Sequence, residues 1–379
     1  MQKVITSEKK PIKLWLDNVE EGALDQAKNL ANLPFIFKHV AIMPDAHQGY
    51  GMPIGGVLAT KGVIIPNAVG VDIGCGMCAV KLNTHEISKS DLVDLVEGIK
   101  MLVPVGFKRH EVKQEWYGFN EAPNIPIINQ EIESAHHQLG TLGGGNHFIE
   151  IQKGSDGHIW IMLHSGSRNF GLKIANYYHK KAVELCDKWM SDIPTKDLSF
   201  LPMDTIDGRE YFEAMGYALR FAKANRDLMM DKINTLHDYD VMDYVNIHHN
   251  YAAYENHFNT NVIVHRKGAT KAVKGLKGII PGSQGTKSYI VEGLGNPESF
   301  MSCSHGAGRV MGRKQAQREL SLEDEIQKLN DIGVLHNIKT KDDLDEAAGA
   351  YKDIDVVMNN QKDLVKILVE LTPLAVIKG

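Results

Sequence analysis

Asp72 and Cys75 stand three apart in VGVDIGCGMCA, on a glycine-hinged loop where a carboxylate and a thiol can face one cation and a thiolate can bridge two. Cys78 completes C-x-x-C with Cys75, but Cys186 and Cys303 form no second such pair, which disfavours a four-cysteine structural zinc. His147 follows the glycines of GTLGGGNH, and His164 ends the apolar run IWIML in LHSGSR. His305 lies among the small residues of SCSHGAGR, which leave space beside its ring. His248 and His249 are adjacent in NIHHN. Neighbouring side chains on a strand point opposite ways, so at most one of the two enters a given site. Nitrogen and sulfur donors with one carboxylate favour zinc by softness, and a redox-inert hydrolytic or transfer centre would hold two zinc or manganese ions.

These residues need elements to hold them. Apolar periodicity predicts helices over 173–191, 209–236, 314–330 and 361–371. Short strands are expected at Val40–Met43, Ala79–Leu82, Ile159–Leu163, Asn261–His265 and Ser288–Val291. The two kinds alternate without a βαβ rhythm, which argues against a doubly wound sheet and for an α+β fold. Glycine clusters at 49–56, 70–76, 140–147, 281–288 and 304–309, next to the histidines, cysteine and aspartate above. Such loops are turns or cradles for phosphate oxygens. The 379-residue length alone suggests two or three domains. Candidate site residues spread from 72 to 305 favour instead one continuous catalytic domain, 1–379, with peripheral helices and a central active site.

A net charge of −5 excludes a globally basic nucleic-acid binder, though not a local basic groove. From Asn256 to Val291 there is no acidic residue, while Arg266, Lys267, Lys271, Lys274, Lys277 and Lys287 all occur, so this stretch is the candidate for RNA or phosphate contact. Arg168 in HSGSR is a separate candidate for a bidentate phosphate grip. Four cysteines are no disulfide framework, no stretch is apolar enough to span a membrane, and the first residues lack a signal-peptide core. A cytoplasmic protein is expected.

Taken together, MPDAHQGYGMPIGGV, VGVDIGCGMCAV, LGGGNHFIE, LHSGSR, NIHHNY, HRKGAT, IIPGSQGTKSYIV, SCSHGAGR and the final LAVIKG resemble the RtcB-type RNA ligase family, in that family's order. The resemblance implies a GTP-dependent ligase with two Mn(II) ions. It would join RNA 3′-phosphate or 2′,3′-cyclic phosphate ends to 5′-hydroxyl ends, in splicing or repair. His305 would carry GMP, with Asp45 of PDAH orienting its ring. Cys75, His147 and His164 would hold one ion, and Asp72, Cys75 and His249 the other. The guanylate pocket would comprise Asn146, His147, Phe148, Ile149, Glu150, His249, Asn250, Pro281, Gly282, Ser283, Gln284, Ser288, His305, Gly306, Ala307, Gly308 and Lys378. Gln284 stands where the family usually has Met, and Cys78 where many members have Asn. An alternative is a dinuclear phosphoesterase that only opens cyclic phosphate ends. The physiological RNA and a possible activating protein are left open by the sequence.

Overall fold

The run Ile159–Ser165 is buried along its whole length, yet it still alternates. Ile159, Ile161 and Leu163 pack with Cys78, Val80 and Leu82 on one face, and Trp160 and Met162 with Met77, Ala79 and Phe148 on the other. A strand covered on both faces reads as a continuous apolar run, and period two sorts its side chains. His164 takes the Trp160 and Met162 face, paired opposite Met77 and Phe148.

The computed structural model covers residues 1–379 and contains two large sheets. The seven-stranded sheet has the order Val241–His248, Gly76–Leu82, Ile159–Ser165, Phe148–Gly154, Val365–Lys378, Ser288–Gly293, Lys277–Ile280. The six-stranded sheet runs Lys3–Ile5, Ile12–Leu14, Ile36–His47, Ile54–Thr60, Thr260–Lys267, Asn250–His257. Within these sheets the pairing is antiparallel, except for Ile12–Leu14 beside Ile36–His47. The fold is mixed α+β. No helix is long and apolar enough to cross a membrane.

All five expected strands lie inside longer ones, and the two long helices form at Arg168–Lys188 and Ile206–Asn234. Two expectations are corrected. The stretch 314–330 divides into helices Arg313–Glu319 and Leu322–Asp331, with Ser321 capping the second through the Asp324 N–H. The stretch 361–371 is no helix. Val365–Lys378 pairs on both sides, with Phe148–Gly154 and Ser288–Gly293; Leu364, Leu368 and Leu371 fall on a helical stripe, but Val365, Ile367, Val369 and Leu371 alternate as a strand. Two complete ladders outweigh a helical stripe with no partner.

The basic stretch is also reassigned. Arg266 is fully buried, and its guanidinium donates to both oxygens of Glu255 at 2.7 and 3.0 Å. Lys271 and His257 meet the same carboxylate at 3.0 and 2.9 Å. Lys277 and Lys287 pair with Asp243 and Glu370. Arg266 therefore cannot serve as an RNA contact, because it faces the protein interior.

Burial pushes the Glu255 carboxyl up, but His257 and Arg266 outweigh burial and hold it far below the usual range. A group lowered in the folded state stabilises fully at neutral pH and loses that contribution only in strong acid. Arg266→Ala leaves this carboxylate underpaired and should cost about 3–5 kcal/mol in urea unfolding at pH 7. A loss of less than about 1 kcal/mol would show that Lys271 and His257 suffice.

Candidate active site

The seven-stranded sheet hands the chain to the six-stranded one at a single residue. Strand Val241–His248 ends, His249 follows, and strand Asn250–His257 begins. The His249 N–H donates to the Cys75 carbonyl at 2.9 Å, and its own carbonyl accepts from Ala269 N–H at 3.1 Å. Asn250 continues the clasp, with its side chain donating to Asp72 O at 3.0 Å and accepting from Gly268 N–H at 2.7 Å. The loop bearing Asp72 and Cys75 is thereby fixed at the seam.

The adjacent histidines separate as alternation requires. His248 Nδ1 accepts from Arg226 Nη2 at 3.0 Å, while His249 Nε2 lies 3.2 Å from His164 Nε2. Cys75 Sγ is 3.2 Å from His164 Nε2 and 3.5 Å from His147 Nε2. The donor atoms of Cys75, His147 and His164 all fall within 4.8 Å of one another, and all three residues are buried. Asp72 Oδ2 adjoins them, 3.1 Å from His147 Nε2.

The tautomers bear on whether a cation suits this cluster. His164 Nδ1–H donates to the Asn146 carbonyl at 2.9 Å, which leaves the Nε2 lone pair facing the other donors. Burial, then His147, drives the His164 pKa well below the ordinary imidazole value, and burial does the same for His249, so both rings are neutral. His249 Nδ1 is buried with no partner. His147 Nδ1 lies 3.4 Å from the Arg168 guanidinium, which turns its Nε2 toward Asp72 and the other donors. A thiol, three imidazoles and a carboxylate converging in so small a volume suit divalent transition-metal ions.

All of these groups except His147 open on one cavity of about 840 Å³. Asp72, Cys75, His164 and His249 line it, with Asn146, Phe148, Glu150, Asn250, Pro281–Gln284, His305–Gly308 and Lys378. Ile149 does not: one step along its strand, it faces the opposite core with Ile151 and Leu163. Ser288 acts behind the wall, its hydroxyl accepting from Gly282 N–H at 3.1 Å. Lys267 lines the cavity, buried, and donates to Tyr50 O at 2.6 Å and Asn67 O at 3.0 Å. Burial pushes its ammonium down to about 7. Lys271 and Lys274 lie outside the wall. Arg168 holds Thr141 Oγ1, His147 and Gly106 O together rather than standing free.

His305 follows the short strand Ser302–Ser304, which pairs with Ala269–Lys271. Its Nδ1–H donates to Asp45 Oδ2 at 2.6 Å, and the same oxygen accepts from His305 N–H at 3.1 Å. Asp45 is completely buried; burial raises its carboxyl, but His305 more than reverses this and keeps it ionised. With Nδ1 engaged, Nε2 is the free ring nitrogen. Across the cavity, burial pushes Glu150 up to about 8, partly countered by Lys378. Gln284 donates to Glu346 O at 2.8 Å, and its Oε1 has no partner.

Two residues not singled out by sequence hold the loops in place. Asn225 accepts from Gly140 and Thr141 N–H and donates to Thr141 O, Ser165 Oγ and Gly166 O. Arg226 donates to Gly74 O and Ser165 O, both at 2.9 Å. Both are fully buried on helix Ile206–Asn234. Their one sequence signal is a polar pair within an apolar stripe.

The family model described as tRNA-splicing ligase RtcB matches residues 26–122 and 113–379. An "RNA-splicing ligase RtcB" of Escherichia coli is 40% identical, with 99% of each chain covered. A "tRNA-splicing ligase RtcB" of Nanoarchaeum equitans is 32% identical over 95% of this chain and 92% of its own. An "RNA-splicing ligase RtcB homolog 1" of Entamoeba dispar is 31% identical over 96% and 83%.

Burial, then Asp72, raises the Cys75 thiol far above its ordinary value, so at neutral pH an incoming cation must displace its proton. Metal affinity should therefore rise with pH. Calorimetry in buffers of different ionisation enthalpy should record at least one proton released per protein, and Cys75→Ala should bind fewer ions. Proton-neutral binding would contradict thiolate ligation.

Proposed function

The chain belongs to the RtcB family, and we propose that it is an RNA ligase joining a 3′-phosphate or 2′,3′-cyclic phosphate end to a 5′-hydroxyl end at the expense of GTP. The whole chain acts as one catalytic unit in this reading, since residues from Asp72 to Lys378 border one cavity. The observation that carries it is His305 with Nδ1 fixed by buried Asp45 and Nε2 free. A hydrolase that only opened cyclic phosphates would use the same pair as a general base and would form no adduct.

Neutral imidazole is a competent nucleophile at pH 7. His305 Nε2 attacks the α-phosphorus of GTP; a P–N bond forms and pyrophosphate leaves. The ring becomes cationic, and Asp45 at 2.6 Å from Nδ1 neutralises it in place. The RNA 3′-phosphate then takes GMP from the histidine, which regains its lone pair. The 5′-hydroxyl attacks the activated phosphorus, GMP leaves and a phosphodiester remains. A cyclic end is first hydrolysed to the 3′-phosphate. Divalent cations held by Cys75, His147 and His164 and by Asp72, Cys75 and His249, manganese by family resemblance, would supply charge neutralisation at the phosphates. The loops Pro281–Gln284 and Gly306–Gly308, which line the cavity, would border the nucleotide, and the Glu150 carboxylate would accept from guanine N1–H and the amino group.

The direct test is incubation with GTP labelled at the α-phosphate and Mn(II), with other metals in parallel. The expected product is a covalent guanylate, stable to base and labile to acid, mapped to His305. His305→Ala should carry none, and Asp45→Asn should label at least 100-fold more slowly, as expected for lost stabilisation of developing charge. Label retained by His305→Ala would refute the nucleophile. RNA-end hydrolysis without GTP or adduct would favour the phosphoesterase.

Guanine recognition by Glu150 needs its ionised form, and burial keeps it protonated below about 8. GMP affinity without added metal should therefore rise about tenfold per pH unit up to that value, then level. Glu150→Gln should flatten the profile and weaken the preference for guanine. A flat wild-type profile would remove Glu150 from base recognition.

A further inference from the structure

Phe107 is the most exposed large apolar side chain of the protein, with relative exposure of 109%. It follows Gly106 in a tight turn closed by the Lys108 N–H donating to Val105 O at 3.2 Å. Gly106 has φ of +65°, which suits glycine at this place in the turn. The backbone beneath Phe107 is pinned on both sides. Gly106 N–H donates to Gly143 O at 2.9 Å, and Gly106 O accepts from Arg168 Nη2 at 3.2 Å. Val105 also bridges to Gly143, in the loop that leads to His147. Arg168 donates through its other arm to His147 Nδ1, so one guanidinium spans the turn and the metal-type cluster.

The turn's charges are equally free. Lys108 and Arg109 are exposed and make no ion pair, whereas Lys113 further along is taken by Glu133. An aromatic ring with no protein contact and two uncommitted cations on a fixed backbone is the combination that holds single-stranded nucleic acid. Bases stack on the ring, and phosphates meet the cations. Charge complementarity and continuity with the reactive cluster select RNA over an apolar partner.

We propose that the turn Val105–Arg109 is a binding subsite for single-stranded RNA next to the reacting end, with a base stacked on Phe107 and phosphates on Lys108 and Arg109. The inference rests on the ligase reading above and adds to it where the strand lies. The loop around His147 would thus sense the strand through the backbone that carries Phe107.

The test is fluorescence anisotropy of a labelled single-stranded RNA bearing a 3′-phosphate, with the full-length protein. Phe107→Ala should weaken binding about tenfold, and Phe107→Trp should retain it, as stacking requires an aromatic face. Lys108→Ala with Arg109→Ala should lower the slope of log affinity against log salt by about 1.4. Phe107→Ala binding within twofold of wild type, or a double variant with unchanged slope, would overturn the subsite. GTP labelling of wild-type protein separates the two readings. Absence of the adduct refutes the ligase, whereas adduct formation with unaltered RNA binding by the variants refutes only the subsite.

Discussion

The clasp at His249 and Asn250 governs the geometry of the site. Two separate sheets must meet where backbone donors and acceptors would otherwise be stranded away from water, and a buried amide left unpaired is costly. Here each of those groups finds a partner across the seam: Cys75 O, Ala269 N–H, Gly74 N–H, Asp72 O and Gly268 N–H. Those partners belong to the loops that carry Asp72, Cys75 and Gly268, the last beside His305. Joining the sheets and assembling the reactive groups are the same structural act.

Buried polar residues extend this logic outward. Arg226 is fully buried, and its guanidinium is satisfied by carbonyls, Asn246 and His248 rather than by a carboxylate. Burial lowers its pKa, yet an arginine so bonded remains a cation, and its positive field reaches Cys75 and Cys78. It favours the thiolate that a bound ion would require. Asp45 plays the opposite part at the far side of the cavity, an ionised carboxylate dedicated to one imidazole.

Much of this was legible in the sequence. Short apolar runs bounded by turn residues located the strands around His164, and the ordered motifs led to the family. What failed did so for tertiary reasons. The 361–371 segment carries a pattern compatible with both periods, and only two waiting strand edges decided between them. The acid-free window beginning at Asn256 stopped one residue short of Glu255, whose carboxylate consumes Arg266 and Lys271. Ile149 was grouped with the pocket by its motif, but strand alternation turns it away from Phe148 and Glu150. Asn225 and Arg226 could be seen only as interruptions, since their partners lie on three loops and on the strand Val241–His248.

The strand Val365–Lys378 also shapes how the molecule comes into being. It sits in the middle of the seven-stranded sheet, between Phe148–Gly154 and Ser288–Gly293, and its Leu371 pairs with Gly154 more than 200 residues earlier. Until it arrives, two apolar edges have no hydrogen-bonding neighbour. Such nonlocal pairing slows folding, because chain entropy is lost before contacts compensate, and open edges invite intermolecular association. Lys378 enters the cavity on this same strand. The strand that closes the sheet is therefore also the one that finishes the cavity wall, so a chain with its sheet still open has no complete pocket to offer.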